Sequence, residues 1–376
     1  MKLLKNCRAF APQDMGIKDI LVGGTRILAI EDHIQPFLEH ALEAIDIKEQ
    51  WVFPGFIDSH IHFAGAGGEG GPISRSSELS LNEILAGGIT TAIGCLGTDG
   101  IVRNLDSVLM KAKALRAGGM SAWMYTGSYQ IPPPSILQSP ARDIAMLDEV
   151  IGIGEIAIAD HRSSYPTINQ FIAIAQEARL GGMLGGKQGI VNIHIGDAGS
   201  PFQLLNEALE RPGIVHRQFL PTHCNRSQPV FDEAKQYGLN GYVDITCSSY
   251  PHFKDIEIKP SLAFAQLLES GVPLGHITMS SDAGGSLPRF DNNGHSTEIS
   301  YGKPVSLLNE VLDIIDGKEA NVEAALATVT TNVASILGLN SKGEIAPGKD
   351  ADLIVVDPAE QTLQRVMAMG RWLLGR

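Results

Sequence analysis

Eight short apolar runs, separated by segments of helical character, constrain the fold of this chain more than any other feature. Near-continuous apolar strands that alternate with helices indicate a parallel sheet covered by helices on both faces. Eight such units favour a closed (β/α)8 (TIM) barrel over an open doubly wound sheet, so the predicted fold class is α/β. The runs cover residues 56–63, 90–96, 121–126, 155–160, 189–195, 218–223, 241–246 and 276–282.

The two ends of the chain have a different pattern. Residues 20–30 predict a strand, a turn at Gly23 and Gly24, and a second strand. Residues 343–357 predict a turn-rich opening followed by a strand of β-branched residues. We therefore expect the ends to form one small β-sandwich domain from residues 1–53 plus 343–376, with the (β/α)8 barrel at residues 54–342.

Composition excludes several classes of partner. The chain has 376 residues, 44% of them hydrophobic, and a net charge of −13, which argues against nucleic acid and anionic membranes. No stretch approaches the roughly 20 apolar residues of a membrane span, and the N-terminal segment lacks the apolar run of a signal peptide. The four cysteines form no CxxC pair, which favours the reducing cytoplasm.

The first chemical signal is the pair His60 and His62, at the end of the first apolar run. Residues i and i+2 of a strand face the same side, so both imidazoles can reach one metal ion at about 2.0–2.1 Å. Catalytic groups of such barrels lie at the carboxyl ends of the strands. Taken alone, the pair is equally compatible with two polar residues that merely end a strand.

Three further polar residues, His194, His223 and Asp282, end later runs. Their equivalent positions predict additional metal ligands, and the Asp282 carboxylate could also accept a proton from an attacking water. The alternative for each single histidine is a buried side chain that hydrogen bonds a backbone carbonyl. For Asp282 the alternative is the N-cap of a following helix.

Glu155 is the candidate for a bridge between two ions. Four histidines and one aspartate suffice for two metals, which in hydrolytic sites lie about 3.5–4 Å apart and usually share a carboxylate. A glutamate inside an apolar run is costly to bury unless cations pair with it. The alternative is a strand-start glutamate that remains exposed at the bottom of the barrel.

Several motifs resemble those of the amidohydrolase superfamily. These are PGFIDSHIHF at residues 54–63, the closing segment at residues 344–357, and the order of the histidines and the aspartate. Finer matches, spread along nearly the whole chain, are similar to the isoaspartyl dipeptidase family within that superfamily. They lie at residues 65–72, 94–99, 127–132, 160–163, 181–187, 221–226 and 280–286.

The resemblance implies a homo-oligomeric enzyme that hydrolyses β-aspartyl dipeptides, with a metal-bridging hydroxide as nucleophile. It implies two divalent metal ions, zinc being the expected one, and a catalytic Asp282 that transfers the proton. Tyr129 falls on the position that stabilises the oxyanion. Together with Glu155, the expected metal ligands are His60, His62, His194, His223 and Asp282.

The resemblance also implies a pocket for a small dipeptide-like substrate. Arginine forks suit the two carboxylates of such a molecule, and Glu69 offers a counter-charge for its ammonium group. For each arginine alone, a surface salt bridge is the alternative. The pocket positions are Glu69, Thr98, Arg162, Arg226 and Ser286.

One position departs from the pattern of the family. Its members typically bridge the metals with a carboxylated lysine on the fourth strand, where this chain has Glu155, and Lys187 lies in a glycine-rich loop. Two alternatives therefore stay open. The substrate could be another small acidic amide, an N-acyl amino acid or a cyclic imide, or the chain could be a barrel that has lost catalysis.

Overall fold

The computed structural model describes residues 1–35, 42–291, 296–317 and 320–375, and the strands of these ranges form four sheets. In chain order the strands are β1 (Lys2–Phe10), β2 (Asp14–Gly23), β3 (Arg26–Glu31), β4 (Glu43–Asp46), β5 (Trp51–Pro54), β6 (Phe56–Ile61), β7 (Ile89–Gly94), β8 (Ser121–Thr126), β9 (Val150–Ile158), β10 (Ile190–Ile195), β11 (Phe219–Thr222), β12 (Val243–Thr246), β13 (Ile277–Ser280), β14 (Ser286–Phe290), β15 (Ser296–Tyr301), β16 (Leu353–Asp357), β17 (Thr362–Ala368) and β18 (Arg371–Leu374).

The helices of the described ranges lie between these strands. They are α1 (Leu81–Leu85), α2 (Leu105–Gly118), α3 (Pro140–Met146), α4 (Ile168–Gly185), α5 (Gln203–Leu209), α6 (Gln228–Gly238), α7 (Pro260–Glu269), α8 (Val305–Gly317), α9 (Val322–Ala327) and α10 (Thr331–Leu337). None of them combines the length and apolar character that a membrane crossing requires.

Both ends of the chain contribute to one eight-stranded sheet. Its order is β18-β17-β16-β5-β1-β2-β3, and β4 pairs with β1. The ends meet where β16 pairs antiparallel with β5, so that Val355 lies opposite Val52. The expected strand–turn–strand near the N-terminus is β2 and β3, and Gly24 supplies the positive φ of +60° in their turn. The sheet has its own apolar cluster, which includes Leu4 and Trp372.

The middle of the chain forms a curled parallel sheet in the order β11-β10-β9-β8-β7-β6. Strands that follow one another in sequence are neighbours in this sheet, as expected for repeated strand–helix units. The separate parallel pair β12-β13 is joined to it by backbone hydrogen bonds at both edges. The Cys224 amide donates to Asp244 O (3.1 Å), and the Asp282 amide donates to His60 O (3.0 Å).

Each of the eight predicted runs overlaps one strand from β6 to β13, which confirms the mixed α/β class and the parallel arrangement. The largest difference in boundary concerns β9, which begins at Val150, five positions before the predicted start at Glu155. The antiparallel hairpin of β14 and β15 falls outside the eight predicted runs. Pro288 lies inside β14, and proline within a short run argues against a strand.

Candidate metal centre and active site

The histidine pair lies at the end of β6 with both rings buried. Each ring has a partner for its Nδ1 atom. His60 Nδ1 lies 2.9 Å from the side-chain oxygen of Asn192, and His62 Nδ1 lies 3.3 Å from the carbonyl oxygen of Cys95. Such partners fix the orientation of an imidazole and leave its other nitrogen for a ligand. The Nε2 atoms of both rings therefore face the interior of the site.

Glu155 is at the centre of the site, because its carboxylate faces four imidazoles. It is 1% exposed, so the alternative of an exposed strand-start glutamate is wrong. Its oxygens lie 3.4 Å from His60 Nε2, 3.4 Å from His62 Nε2, 3.3 Å from His194 Nδ1 and 3.6 Å from His223 Nε2. Glu155 Oε2 is buried without a hydrogen-bond partner among the described residues.

Asp282 completes this group from the other side. Its Oδ1 atom lies 3.1 Å from His62 Nε2 and 3.6 Å from His60 Nε2. The element that follows Asp282 is strand β14, so the alternative of a helix N-cap is wrong. Buried Asp58 holds the segment in place, since its Oδ1 accepts hydrogen bonds from the amides of Ser281 (3.1 Å) and His60 (3.3 Å).

The second pair of histidines is oriented by different partners. His223 Nδ1 lies 2.7 Å from the hydroxyl of Thr246, which leaves Nε2 facing Glu155. His194 is turned the other way, because its Nε2 donates to Asp160 Oδ2 at 2.9 Å. Its Nδ1 therefore faces Glu155 and also lies 2.7 Å from the Tyr129 hydroxyl.

The distances between these groups fit divalent cations. Two ligand atoms that are each about 2.0–2.2 Å from one ion lie roughly 3.0–3.6 Å apart at ordinary coordination angles. The N···O separations around Glu155 and Asp282 fall in that range, from 3.1 to 3.6 Å. Two groups of potential ligands, in each of which one atom per residue lies within 4.8 Å of the others, share Glu155: His60, His62, Cys95 and Glu155, and then Glu155, His194 and His223.

The electrostatics of the centre favour a positive charge within it. Burial acts against ionisation, yet the neighbouring histidines, His60 first among them, hold the pKa of Glu155 well below its usual value. Burial would lower the pKa of His60, but Cys95 and Glu155 hold that pKa well above its usual value. Burial and the nearby His194 lower the pKa of His223 to about 3, so its ring is neutral, the form that binds metals.

A cavity of about 350 Å³ opens onto this centre. All five predicted pocket residues line it, together with Tyr129. Three of their oxygens, Glu69 Oε2, Thr98 Oγ1 and Ser286 Oγ, are buried without a hydrogen-bond partner among the described residues. Buried polar atoms are rarely left unpaired in a folded protein, so these three oxygens indicate a site for a polar ligand.

The two arginines of the cavity are held by one carboxylate, Asp160. Arg162 binds it bidentately, with Nε 2.9 Å from Oδ1 and one terminal nitrogen 2.7 Å from Oδ2. Arg226 lies 3.5 Å from the same carboxylate and 3.0 Å from His194 Nε2. Burial opposes ionisation, but the Arg162 guanidinium holds the pKa of Asp160 far below its usual value. Both arginines line the cavity, so neither is a simple surface salt bridge.

Three residues of the site were not predicted from the sequence as catalytic, substrate-binding or metal-binding residues. Asp160 is the last residue of the predicted run at residues 155–160, lies two residues after the end of β9 and is close to Arg162 in sequence, and this position was a signal for it. Cys95 directly follows β7, and a thiol at a strand end was a signal as well. Glu257 lies in the loop after β12, where no pattern marks it. It accepts a hydrogen bond from the Ser249 hydroxyl (2.7 Å), and burial raises its pKa to about 7.

Lys187, the lysine near the family's bridging position in sequence, lies outside the site. Its ammonium group donates to the carbonyl oxygens of Ile144 (2.8 Å), Leu147 (2.6 Å) and Val150 (2.8 Å). These carbonyls belong to the end of α3 and to the segment that leads into β9. Lys187 therefore joins the end of α4 to the start of β9 and takes no part in the centre.

Comparison with known proteins agrees with this site. Residues 191–373 match the profile described as the amidohydrolase family. The beta-aspartyl dipeptidase of Fervidobacterium islandicum AW-1, solved in complex with beta-Asp-Leu dipeptide, is 36% identical with a TM-score of 0.92, over 99% of this chain and 96% of its own. A second structure of the dipeptidase from that organism is 34% identical with a TM-score of 0.90, over 100% of this chain and 98% of its own.

The chain is also similar to a relative with a different named activity. The dihydroorotase of Elusimicrobium minutum (strain Pei191) is 21% identical over 96% of this chain and 88% of its own. The profile match, the whole-chain similarity to the dipeptidase and the clusters of metal-ligating side chains agree with one another. The chain is therefore a hydrolase that belongs to the amidohydrolase family.

Proposed function

We propose that the protein hydrolyses β-aspartyl (isoaspartyl) dipeptides with the help of divalent metal ions. One observation carries the proposal: a single cavity joins the centre around Glu155 to two guanidinium groups and to Glu69. A β-aspartyl dipeptide has two carboxylates, one ammonium group and one scissile amide. The similarity to a dipeptidase solved with beta-Asp-Leu supports the same substrate class.

The cavity offers a complement for each charged group of such a substrate. Arg162 and Arg226 can bind carboxylates through planar, bidentate contacts. Glu69 can bind the ammonium group, and its Oε2 atom is one of the unpaired oxygens. The unpaired hydroxyls of Thr98 and Ser286 can add neutral hydrogen bonds. The substrate would thus satisfy polar atoms that the protein alone leaves unsatisfied.

The residues of the centre suit two ions, and imidazole ligands favour zinc. His60, His62, Glu155 and Asp282 would hold one ion, while Glu155, His194 and His223 would hold the other. Bound ions of this kind lower the pKa of a water and polarise a carbonyl group. Asp282 would accept the proton of the attacking water and return it to the leaving amine. Tyr129 would donate a hydrogen bond to the developing oxyanion.

The fold that carries this site is, on our proposal, a closed (β/α)8 barrel at residues 54–342. The hydrogen bonds that join β12 and β13 to both edges of the curled sheet support closure. Residues 1–53 and 343–376 would form the small β-sandwich domain, which the shared sheet and its separate apolar cluster support.

We also propose that the enzyme works as a homo-oligomer in the cytoplasm. Leu180, Met183 and Leu184 on α4 and Met146 on α3 are exposed, and apolar patches of this kind often mark subunit contacts. All four cysteines carry free thiols, as is usual in a reducing compartment. Light scattering after size exclusion, with Met183→Glu as the variant, tests the assembly.

The direct test of the function is turnover of β-Asp-Leu by the purified, zinc-loaded protein. We expect release of aspartate and leucine, and α-Asp-Leu as the matched control should be cleaved poorly. Removal of the metal by a chelator should abolish turnover, and added zinc should restore it, because the ions supply several kcal/mol of transition-state stabilisation. Failure to cleave β-Asp-Leu, with turnover of an N-acyl amino acid or a cyclic imide instead, would favour the alternative substrates that Glu155 leaves open.

Replacing Tyr129 with phenylalanine should lower kcat while KM changes little. The variant keeps the ring and removes only the hydroxyl, which we place at the oxyanion. Loss of one such donor costs about 10²–10³-fold in kcat. Tyr165→Phe serves as the control, because Tyr165 is exposed and lies outside this cavity. A Tyr129→Phe enzyme with unchanged kcat would show that the hydroxyl has no part in the reaction.

A further inference from the structure

We infer that Cys95 is a metal ligand, and that its thiolate fills a coordination position at the ion held by His60 and His62. The inference rests on the proposed metal-dependent function and deepens it. Cys95 directly follows β7, the strand next to β6, and is 1% exposed. Its Sγ atom lies 3.7 Å from His60 Nε2, the nitrogen that faces Glu155.

The position of the sulfur is that of a ligand in a tetrahedral site. With Zn–S about 2.3 Å and Zn–N about 2.0–2.1 Å, tetrahedral angles place sulfur and nitrogen roughly 3.6 Å apart. The potential ligand atoms of Cys95, His60, His62 and Glu155 all lie within 4.8 Å of one another. The nearest polar atoms to the thiol are both imidazole nitrogens, His60 Nε2 and His62 Nδ1, each 3.7 Å from Sγ, and the carbonyl oxygen of Ile61 is farther away at 3.9 Å.

An independent observation indicates a cation in this cluster. Glu155 Oε2 is buried and has no hydrogen-bond partner among the described residues, although it is a charged oxygen at the centre of the site. The backbone of Cys95 is also fixed against β6. Its amide donates to Ile61 O (3.2 Å), and its carbonyl oxygen lies 3.3 Å from His62 Nδ1. Cys95 therefore cannot move away from the histidine pair without breaking both contacts.

A thiolate at this position makes the two ions unequal. His60, His62, Glu155 and Cys95 are four protein ligands, which is the number found in closed zinc sites. Glu155, His194 and His223 are three, and a zinc site with three protein ligands keeps a position open for water or substrate. The cavity and Tyr129 lie beside this second group. Asp282, whose Oδ1 atom lies 3.1 Å from His62 Nε2, would remain a ligand of the first ion beside these four and would accept the proton of water bound at the second ion.

The sulfur also determines which metals the first site prefers. Thiolate ligands favour zinc and other soft ions, whereas manganese and magnesium prefer oxygen. Cys95→Ser should therefore weaken binding of the first zinc ion by at least about 100-fold, which is the upper end of the 10–100-fold loss typical for changes outside the ligand shell. The variant should lose much less affinity for manganese.

X-ray absorption of the zinc-loaded wild-type protein tests the inference without any assay of activity. We expect a sulfur scatterer at about 2.3 Å, at about one sulfur for every two zinc ions. The cobalt(II)-loaded protein should show a near-ultraviolet thiolate-to-cobalt band. Cys95→Ser should lose both signals, and Cys7→Ser should keep them, since Cys7 is buried in the eight-stranded sheet.

The possible outcomes test the role of Cys95 as a metal ligand separately from the proposed substrate. Wild-type spectra without sulfur overturn the inference, even if β-Asp-Leu is cleaved, and they do so whether or not Cys95→Ser folds. A sulfur shell in a protein that does not cleave β-Asp-Leu supports the ligand and rejects the substrate. A protein that binds no metal at all overturns both proposals.

Discussion

Replacing Glu155 with glutamine is expected to reduce kcat for β-Asp-Leu by at least about 10³-fold, because the variant loses the carboxylate shared by both ions. The carboxylate lies 3.3–3.6 Å from nitrogens of four histidines, and within the described part of the chain its Oε2 atom has no hydrogen-bond partner. Glutamine has the same shape but no charge. Bound zinc, measured by elemental analysis, should fall from two ions per chain to one or fewer.

Glu149→Gln is the matched control for this experiment. Glu149 lies just before β9 and pairs with Lys113 (3.0 Å) and Arg116 (3.5 Å), far along the strand from the centre. It should keep both ions and full activity, since partly exposed ion pairs contribute about 1 kcal/mol or less to stability. Glu155→Gln protein that still holds two ions and cleaves β-Asp-Leu at the wild-type rate would disprove the bridging role.

Replacing Arg226 with methionine should raise KM for β-Asp-Leu and lower kcat/KM by about 10- to 150-fold. This range corresponds to the 1.5–3 kcal/mol of a hydrogen bond to a charged group. Arg226 is the better residue to replace in this test. Arg162 binds Asp160 bidentately, so its removal would also change the surroundings of that carboxylate. Steady-state kinetics on wild type and variant provide the measurement.

A substrate without the C-terminal carboxylate shows whether Arg226 recognises that group. The wild-type enzyme should prefer β-Asp-Leu to β-Asp-Leu amide, and Arg226→Met should have lost most of this preference. Arg179→Met, at an exposed arginine on α4 that donates to Gly213 O (2.6 Å), should behave as wild type. An equal loss on both substrates would assign Arg226 a positioning role toward His194, 3.0 Å away, in place of carboxylate binding.

Much of the scaffold was predictable because its signals are local. Each apolar run between residues 56 and 282 corresponds to one strand, because a run of apolar residues is a property of neighbouring positions in the sequence. The hairpin of β14 and β15 was missed because Pro288 interrupts the pattern of a strand. The start of β9 was misplaced because Glu155 resembled a polar boundary, whereas it lies inside the strand and is buried.

The candidate site was predictable where one strand carries two groups. The i, i+2 spacing places His60 and His62 on one side of β6, and this depends only on strand geometry. Which nitrogen of a ring faces the centre was not predictable. His223 presents Nε2 because Thr246 engages its Nδ1, and His194 presents Nδ1 because Asp160 engages its Nε2. These partners lie on other strands or loops.

The amino-acid sequence by itself therefore determined the order of the eight parallel strands, their alternation with helices and the identity of the histidines and carboxylates. It could do so because burial periodicity and spacing are properties of neighbouring residues. Only the tertiary structure decided that Glu155 faces four imidazoles, that Asp160 holds both arginines and that Cys95 lies beside His60. The curled sheet brings the ends of distant strands within a few ångströms, and no local pattern encodes those distances.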